Sequence, residues 1–297
     1  MYLRRQWRWW LQGLVLALGI AGSASAQYAA PVPVEEVVAI PLPPAARWPH
    51  LVATILRPEG QGPFPVIVMN HGSPGTAADR ARMGRYRTTN GSPEFLRRGF
   101  MVVLPMRRGY GATGGPWAEH FSSCAAPDYS AAGEQAAIDL LATIDYLRAL
   151  PDADTSRVML VGQSAGGFAA MAAASHNPPG VLAVVNFAGG RGGNPRTRPG
   201  EPCGVEQMAQ ALARFAQTIR VPVLWHYAEN DQFFGPAVVR RWFEAFEAAG
   251  APGRLVMQPP FGRDGHAMFS ASSGVAIWTP VFEGFMREAG FAPREKP

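Results

Sequence analysis

Six short apolar runs, at 66–69, 101–104, 158–161, 182–185, 221–225 and 255–257, constrain the fold of this chain more than any other feature. They are rich in Val, Leu and Ile and lack the in/out alternation of a strand with one wet face. Strands buried on both sides read this way, as in a parallel sheet covered by helices. Helical segments lie between the runs: a short one that Ser92 would cap and Gly99 would stop, one at 130–150 with Ile138, Leu141, Ile144 and Leu147 at helical spacing, an Ala-rich one at 165–176, one at 236–249 opening on Pro236, and one at 274–289. The alternation predicts an α/β protein with a mostly parallel sheet and helices on both faces. Upstream, β-like runs at 34–40 and 51–56 flank Pro-rich sequence and are expected to be antiparallel edge strands, where proline is tolerated. The stretch 189–204, rich in Gly, Pro and Arg, is expected to be a long loop and a candidate lid.

The first 26 residues read as a cleaved signal peptide, leaving residues 27–297 as one working domain. Arg4, Arg5 and Arg8 open it, an apolar core follows at 11–21, and Ala24-Ser25-Ala26 offers the small-residue cleavage pattern. The alternative is an uncleaved anchor with Trp7, Trp9 and Trp10 at the interface. The whole chain has 27 basic and 22 acidic residues, and the segment holds three arginines and no acid, so residues 27–297 are close to neutral. There is no basic stripe interleaved with aromatics, so a nucleic-acid partner is not expected. After cleavage no stable membrane association is expected either, and the protein is expected in the periplasm or outside the cell. In such an oxidising compartment the two cysteines, Cys124 and Cys203, are expected to pair; the alternative is two free thiols.

Gly162-Gln163-Ser164-Ala165-Gly166 carries the chemistry. With 33 glycines in 297 residues, a Gly-x-Ser-x-Gly match arises by chance in on the order of one such chain in six. Context raises its value: a buried strand precedes it and a helix follows. A strand-turn-helix elbow needs flanking positions nearly free of side chain, and it lifts the central Ser164 hydroxyl clear of the sheet. A phosphate-binding turn is the rival, but the Walker lysine and the Gly-x-Gly-x-x-Gly spacing are absent.

A serine hydroxyl needs a base, and the base an orienting carboxylate. In an elbow architecture these follow in the order serine, acid, histidine. His50, His71 and His120 precede Ser164, His176 ends the next helix, and His226 lies inside a strand run, which leaves His266. The acid belongs after the run at 221–225: Asp231 is the first choice and Glu229 the reserve, while Asp264 is expected to form a turn with Gly265. Oxyanion donors are expected from the backbone N–H groups of Ala165 and of Ser73, since Pro74 has none. His71 is expected to hold its loop rather than react.

Taken together, His71-Gly72, Arg108-Gly109-Tyr110-Gly111 with Gly114-Gly115, the 162–167 elbow, Glu229-Asn230-Asp231 and Gly265-His266 make the chain resemble an α/β-hydrolase. Within that superfamily it resembles the dienelactone hydrolase-related secreted esterases, from about residue 52 onward. The resemblance implies an eight-stranded sheet, no metal or organic cofactor, and a small-molecule ester substrate. It departs from dienelactone-cleaving members in having Ser164 where they carry a cysteine, which favours ordinary esters. The function expected is carboxylic-ester hydrolysis through an acyl-enzyme on a Ser164-His266-Asp231 triad. A peptidase, amidase or thioesterase would use the same machinery, and a non-catalytic binding protein is the remaining alternative. Cys124 and Cys203 would then tie two pocket walls together, and Trp117, Phe121, Phe187, Phe233 and Phe234 are candidates to line an acyl pocket.

Overall fold

The computed structural model describes residues 34–291, so the expected signal peptide at 1–26 lies outside the described residues. Eight strands follow in chain order: β1 (Val34–Pro41), β2 (His50–Arg57), β3 (Phe64–Asn70), β4 (Met101–Met106), β5 (Ala153–Gln163), β6 (Val181–Phe187), β7 (Val223–Ala228) and β8 (Gly253–Gln258). They form one sheet ordered β1-β2-β4-β3-β5-β6-β7-β8. β1 pairs with β2 and β2 with β4 antiparallel, and all other pairs are parallel. This is the α/β-hydrolase architecture expected from the sequence.

The continuous apolar runs serve two cores at once. In β3, Val66 and Val68 join one buried cluster while Ile67 and Met69 join the other. The first cluster packs under α3 (Tyr129–Leu147), α4 (Ala165–Ala174), α5 (Val205–Ala216) and α6 (Pro236–Ala248). The second packs under α2 (Gly91–Arg97) and α7 (Val275–Glu288). α1 (Ala77–Ala81) is a single short turn before α2. A strand buried on both faces has no reason to alternate in polarity, which is why the runs look unbroken.

Several expectations need correction. β2 is no edge strand, since it lies between β1 and β4. Ser92 does not cap α2; Asn90 holds that position and Thr88 Oγ1 accepts from the Gly91 N–H at 2.9 Å. Gly99, at φ +80°, does end that segment. Of the stripe proposed on α3, Ile144 and Leu147 are buried, while Ile138 and Leu141 are half-buried, because Leu140 and Asp139 turn inward beside them. α5 is a helix beyond those expected, and it buries Met208, Leu212 and Phe215 on one face.

The topology fixes where a site can form. β3 leads leftward to β4, whereas β5, on its other side, leads rightward to β6. Ligand crevices in open α/β sheets lie beyond the strand C-termini at such a switch. Here the register aligns Asn70 with Gly162, so the loops leaving β3 and β5 emerge side by side.

Candidate active site

Ser164 sits between β5 and α4 at φ 57°, ψ −125°, a conformation that residues with a side chain adopt only under constraint. The neighbours supply it. A Cβ on Gly162 would stand 2.2 Å from the Gly166 carbonyl, and one on Gly166 would stand 2.2 Å from Asn70 O. One on Gly167 would meet Asn186 Oδ1 at 2.2 Å. The turn closes this tightly only without those side chains. The Ser164 N–H donates to Phe187 O at 2.9 Å, and its carbonyl accepts from Gly167 and Gly190. Its hydroxyl does not cap α4 and makes no hydrogen bond among the described residues.

His266 and Asp231 meet although 35 residues separate them. His266 Nδ1 lies 2.9 Å from Asp231 Oδ2 and 3.1 Å from Oδ1. Asp231 is buried, and its Oδ1 also accepts from the Phe233 and Phe234 N–H groups at 2.8 and 3.0 Å. Those donors fix the carboxylate, and the carboxylate accepts a hydrogen bond from His266 Nδ1–H, leaving Nε2 as the free acceptor. The imidazole stacks on Phe233 with centroids 4.1 Å apart. Glu229, the reserve acid, is exposed.

Polar side chains bind these loops together. Gln163 Nε2 donates to His266 O at 2.9 Å, joining the histidine loop to the elbow. Asn230 Oδ1 accepts from Phe261 N–H at 2.8 Å, and Asp264 Oδ1 accepts from both Gln232 and His266 N–H. Asp264 thus serves the turn, as expected. Gly265 tolerates no side chain, since a Cβ there would meet Ala228 Cβ at 2.6 Å. Ser164 Oγ and the imidazole are not hydrogen-bonded in this structure; such pairs are commonly long without substrate and tighten in the reacting complex.

The loop after β3 lies against the nucleophile candidate: a Cβ on Gly72 would be 3.3 Å from Ser164 Cβ. His71 holds this loop. Its Nδ1–H donates to Gly72 O at 2.7 Å, and its Nε2 accepts from Arg107 N–H at 3.1 Å. Complete burial, with the Arg107 charge nearby, pushes its pKa well below the ordinary range and keeps the ring neutral. Ser73 and Ala165, the expected oxyanion donors, line one cavity with Ser164.

A family model, X-Pro dipeptidyl-peptidase (S15 family), matches residues 49–199, from β2 through the elbow to the loop beyond β6. The chain belongs to the S15 family. Among solved structures, the S15 chain is similar in fold to an acylaminoacyl peptidase from Pyrococcus horikoshii (15% identity, TM-score 0.60, covering 87% of this chain and 42% of that one). A puromycin-hydrolyzing peptidase from Mycobacterium tuberculosis gives 18% identity and a TM-score of 0.62, covering 88% and 40%. The chain therefore spans less than half the length of these peptidases. A dienelactone hydrolase from Anabaena variabilis gives 18% identity and a TM-score of 0.55, covering 86% of this chain and 98% of that one. No curated protein matches.

The cavity of this S15 chain, about 620 Å³, is walled by the 71–76 loop, the loops after β4 and β6, and the acid loop. Trp117, Phe121, Phe233 and Phe234 line it. Phe187 does not: as the last residue of β6 it packs in the second core, stacked on Phe269 at 4.3 Å. Cys124 and Cys203 are joined in a disulfide with Cα atoms 5.2 Å apart, and Cys124 reaches the cavity wall. Residues 190–196 and Arg198 line the cavity together with Trp117 and Arg80, and Arg191 lies over the Trp117 ring at 5.9 Å.

Beneath this wall lies a buried ionic group. Glu119 is paired with both Arg107 and Arg191. The Tyr110 hydroxyl accepts from Trp117 Nε1–H at 2.9 Å and lies 3.1 Å from Glu119 Oε2 and 2.9 Å from Ser73 Oγ. Next in sequence, Arg108 makes a separate bond to Asp139 at 2.5 Å and anchors its loop to α3. The Arg108-Gly109-Tyr110-Gly111 motif thus braces the loop after β3 through Tyr110 and Ser73, and its own loop against α3 through Arg108.

Proposed function

We propose that this hydrolase cleaves carboxylic esters through an acyl-enzyme on Ser164. The observation that carries the proposal is the Asp231–His266 pair set at the strand C-termini beside a serine held in an elbow. In the proposed sequence His266 Nε2 takes the hydroxyl proton as Ser164 Oγ adds to the ester carbonyl. The carbonyl electron pair moves to oxygen, which the Ala165 and Ser73 N–H groups receive. Collapse breaks the bond to the alkoxide, which leaves with the proton from His266. Water, deprotonated by the same Nε2, then adds to the acyl carbon, and collapse returns the proton to Ser164 and frees the acid.

The second reading is a peptidase, supported by the S15 match. Removal of a dipeptide requires a pocket for a protonated chain terminus, and no Asp or Glu lines the cavity among the described residues. That favours esters. The test compares p-nitrophenyl acetate with an X-Pro p-nitroanilide. Wild type is expected to hydrolyse the ester with the higher kcat/KM, and Ser164→Ala to lose about 10⁴–10⁶-fold of it. An anilide preference would establish the peptidase reading.

The disulfide supports a further element of the proposal: the chain is exported, residues 1–26 are removed, and 27–297 work as one domain with 189–204 as a lid. N-terminal sequencing of secreted protein, expected to begin at Gln27, tests the cleavage.

A further inference from the structure

The aromatic side chains suit the cavity for an acyl group, but its charge is not explained by ester hydrolysis alone. Arg80, Arg191, Arg196 and Arg198 all line it, and no Asp or Glu does among the described residues. Glu119, next to the cavity-lining Arg191, already faces two guanidinium groups, Arg107 and Arg191. One of those charges is left over. Arg80 is buried, lies flat over Trp117 at 3.6 Å, and has no carboxylate within ion-pair distance among the described residues. Arg198 likewise has none; its Nη2 rests 3.4 Å from Cys124 Sγ. Arg196 counts for less, being exposed and within reach of the Asp79 charge.

Arg191 is the most telling of the four. It is 4% exposed, yet its Nε has no hydrogen-bond acceptor among the described residues. Burial pulls its pKa down to about 10, with Arg107 adding repulsion. A buried guanidinium with a spare donor and unneutralised neighbours is costly unless an anion completes the group. Guanidinium forks match planar carboxylates in particular.

We infer that the cavity selects esters bearing a free carboxylate, which Arg80, Arg191 and Arg198 receive while the ester carbonyl lies at Ser164. The inference rests on the ester-hydrolase reading and adds its substrate class. It also accounts for the walls: the disulfide holds the segment carrying Arg191 and Arg198 against the segment carrying Trp117, on which Arg80 stacks.

Two substrate pairs test it, one placing the charge on the acyl side and one on the alcohol side. The first is p-nitrophenyl hemiglutarate against p-nitrophenyl butyrate. The second is 3-acetoxybenzoate against phenyl acetate. In at least one pair the anionic ester is expected to have a kcat/KM about tenfold or more above its neutral partner. That ratio is expected to fall toward one in Arg80→Gln and in Arg198→Gln, and to shrink with added salt. Neither arginine pairs with Glu119, so the variants are expected to fold, which circular dichroism checks. Neutral esters preferred in both pairs, or a ratio unchanged in both variants, would overturn the inference and leave the ester reading standing. No hydrolysis of any of the four would overturn both.

Discussion

At the residue scale the account rests on side chains whose positions have identifiable physical causes. Gly166 is the sharpest case. Adding one methyl group would put carbon 2.2 Å from Asn70 O and 2.6 Å from His71 O, so the elbow and the loop after β3 would both have to move. Gly166→Ala is therefore expected to destabilise the fold by about 2–4 kcal/mol and abolish hydrolysis, read by urea unfolding and by kcat/KM on the same preparation. Asp231→Asn is a complementary test. It keeps the volume but offers His266 an amide, leaving the ring free to take the wrong tautomer, so kcat is expected to fall by about 10³–10⁴-fold with KM little changed. Equal activity in Asp231→Asn would move the orienting role elsewhere. The serine, acid and histidine candidates were readable from the sequence because chain order and loop position leave few choices. Arg191, Glu119 and Gln163 were not, because their roles depend on contacts across the pocket that no local pattern encodes. For Arg191 the one signal was a lone charge inside the small-residue run Gly189-Gly190-Arg191-Gly192-Gly193.

At the element scale, strands were legible wherever both faces are buried, since a run such as Val66–Val68 has no ambiguity of polarity. Pro105 of β4 still pairs with Ala53 of β2, so the strand runs two residues past the apolar run at 101–104. α5 was missed because it follows directly on the Gly- and Pro-rich loop. Its apolar face is built largely from Ala and Met rather than a bold Leu or Ile stripe. The disulfide links that same loop to the one after β4 across a separation of 79 residues. In the chain-entropy account a loop of that length contributes about 4 kcal/mol. Reduction, or the Cys124→Ser and Cys203→Ser double variant, is expected to lower unfolding stability by that order and to raise KM more than it lowers kcat. A denaturation midpoint unchanged on reduction would show that the bridge does not hold the walls.

For the whole molecule, pH is the condition that reports on buried charge. His226 is 1% exposed, and burial lowers its pKa from 6.5 to about 4, with Arg254 contributing. Its Nε2 bonds Gln258 Nε2 at 3.1 Å. Between those two values the unfolded chain binds a proton that the folded chain refuses, so stability is complete above about pH 6.5 and falls as pH drops toward 4. The shift corresponds to about 3 kcal/mol. His71, also pushed down by burial, acts in the same direction. Asp139, raised by burial despite Arg108, acts in the opposite direction. Urea midpoints measured from pH 7.5 to 4.5 are expected to decline, and His226→Gln to show a shallower decline. A flat profile would mean that His226 is charged in the folded protein.

The central claim is that Ser164 becomes acylated. Reacting the protein with a fluorophosphonate and mapping the adduct by peptide mass spectrometry tests it directly. The account predicts one equivalent of adduct, located on Ser164, and none in Ser164→Ala. Stoichiometric labelling of another residue, or hydrolysis proceeding with Ser164 unlabelled, would contradict it.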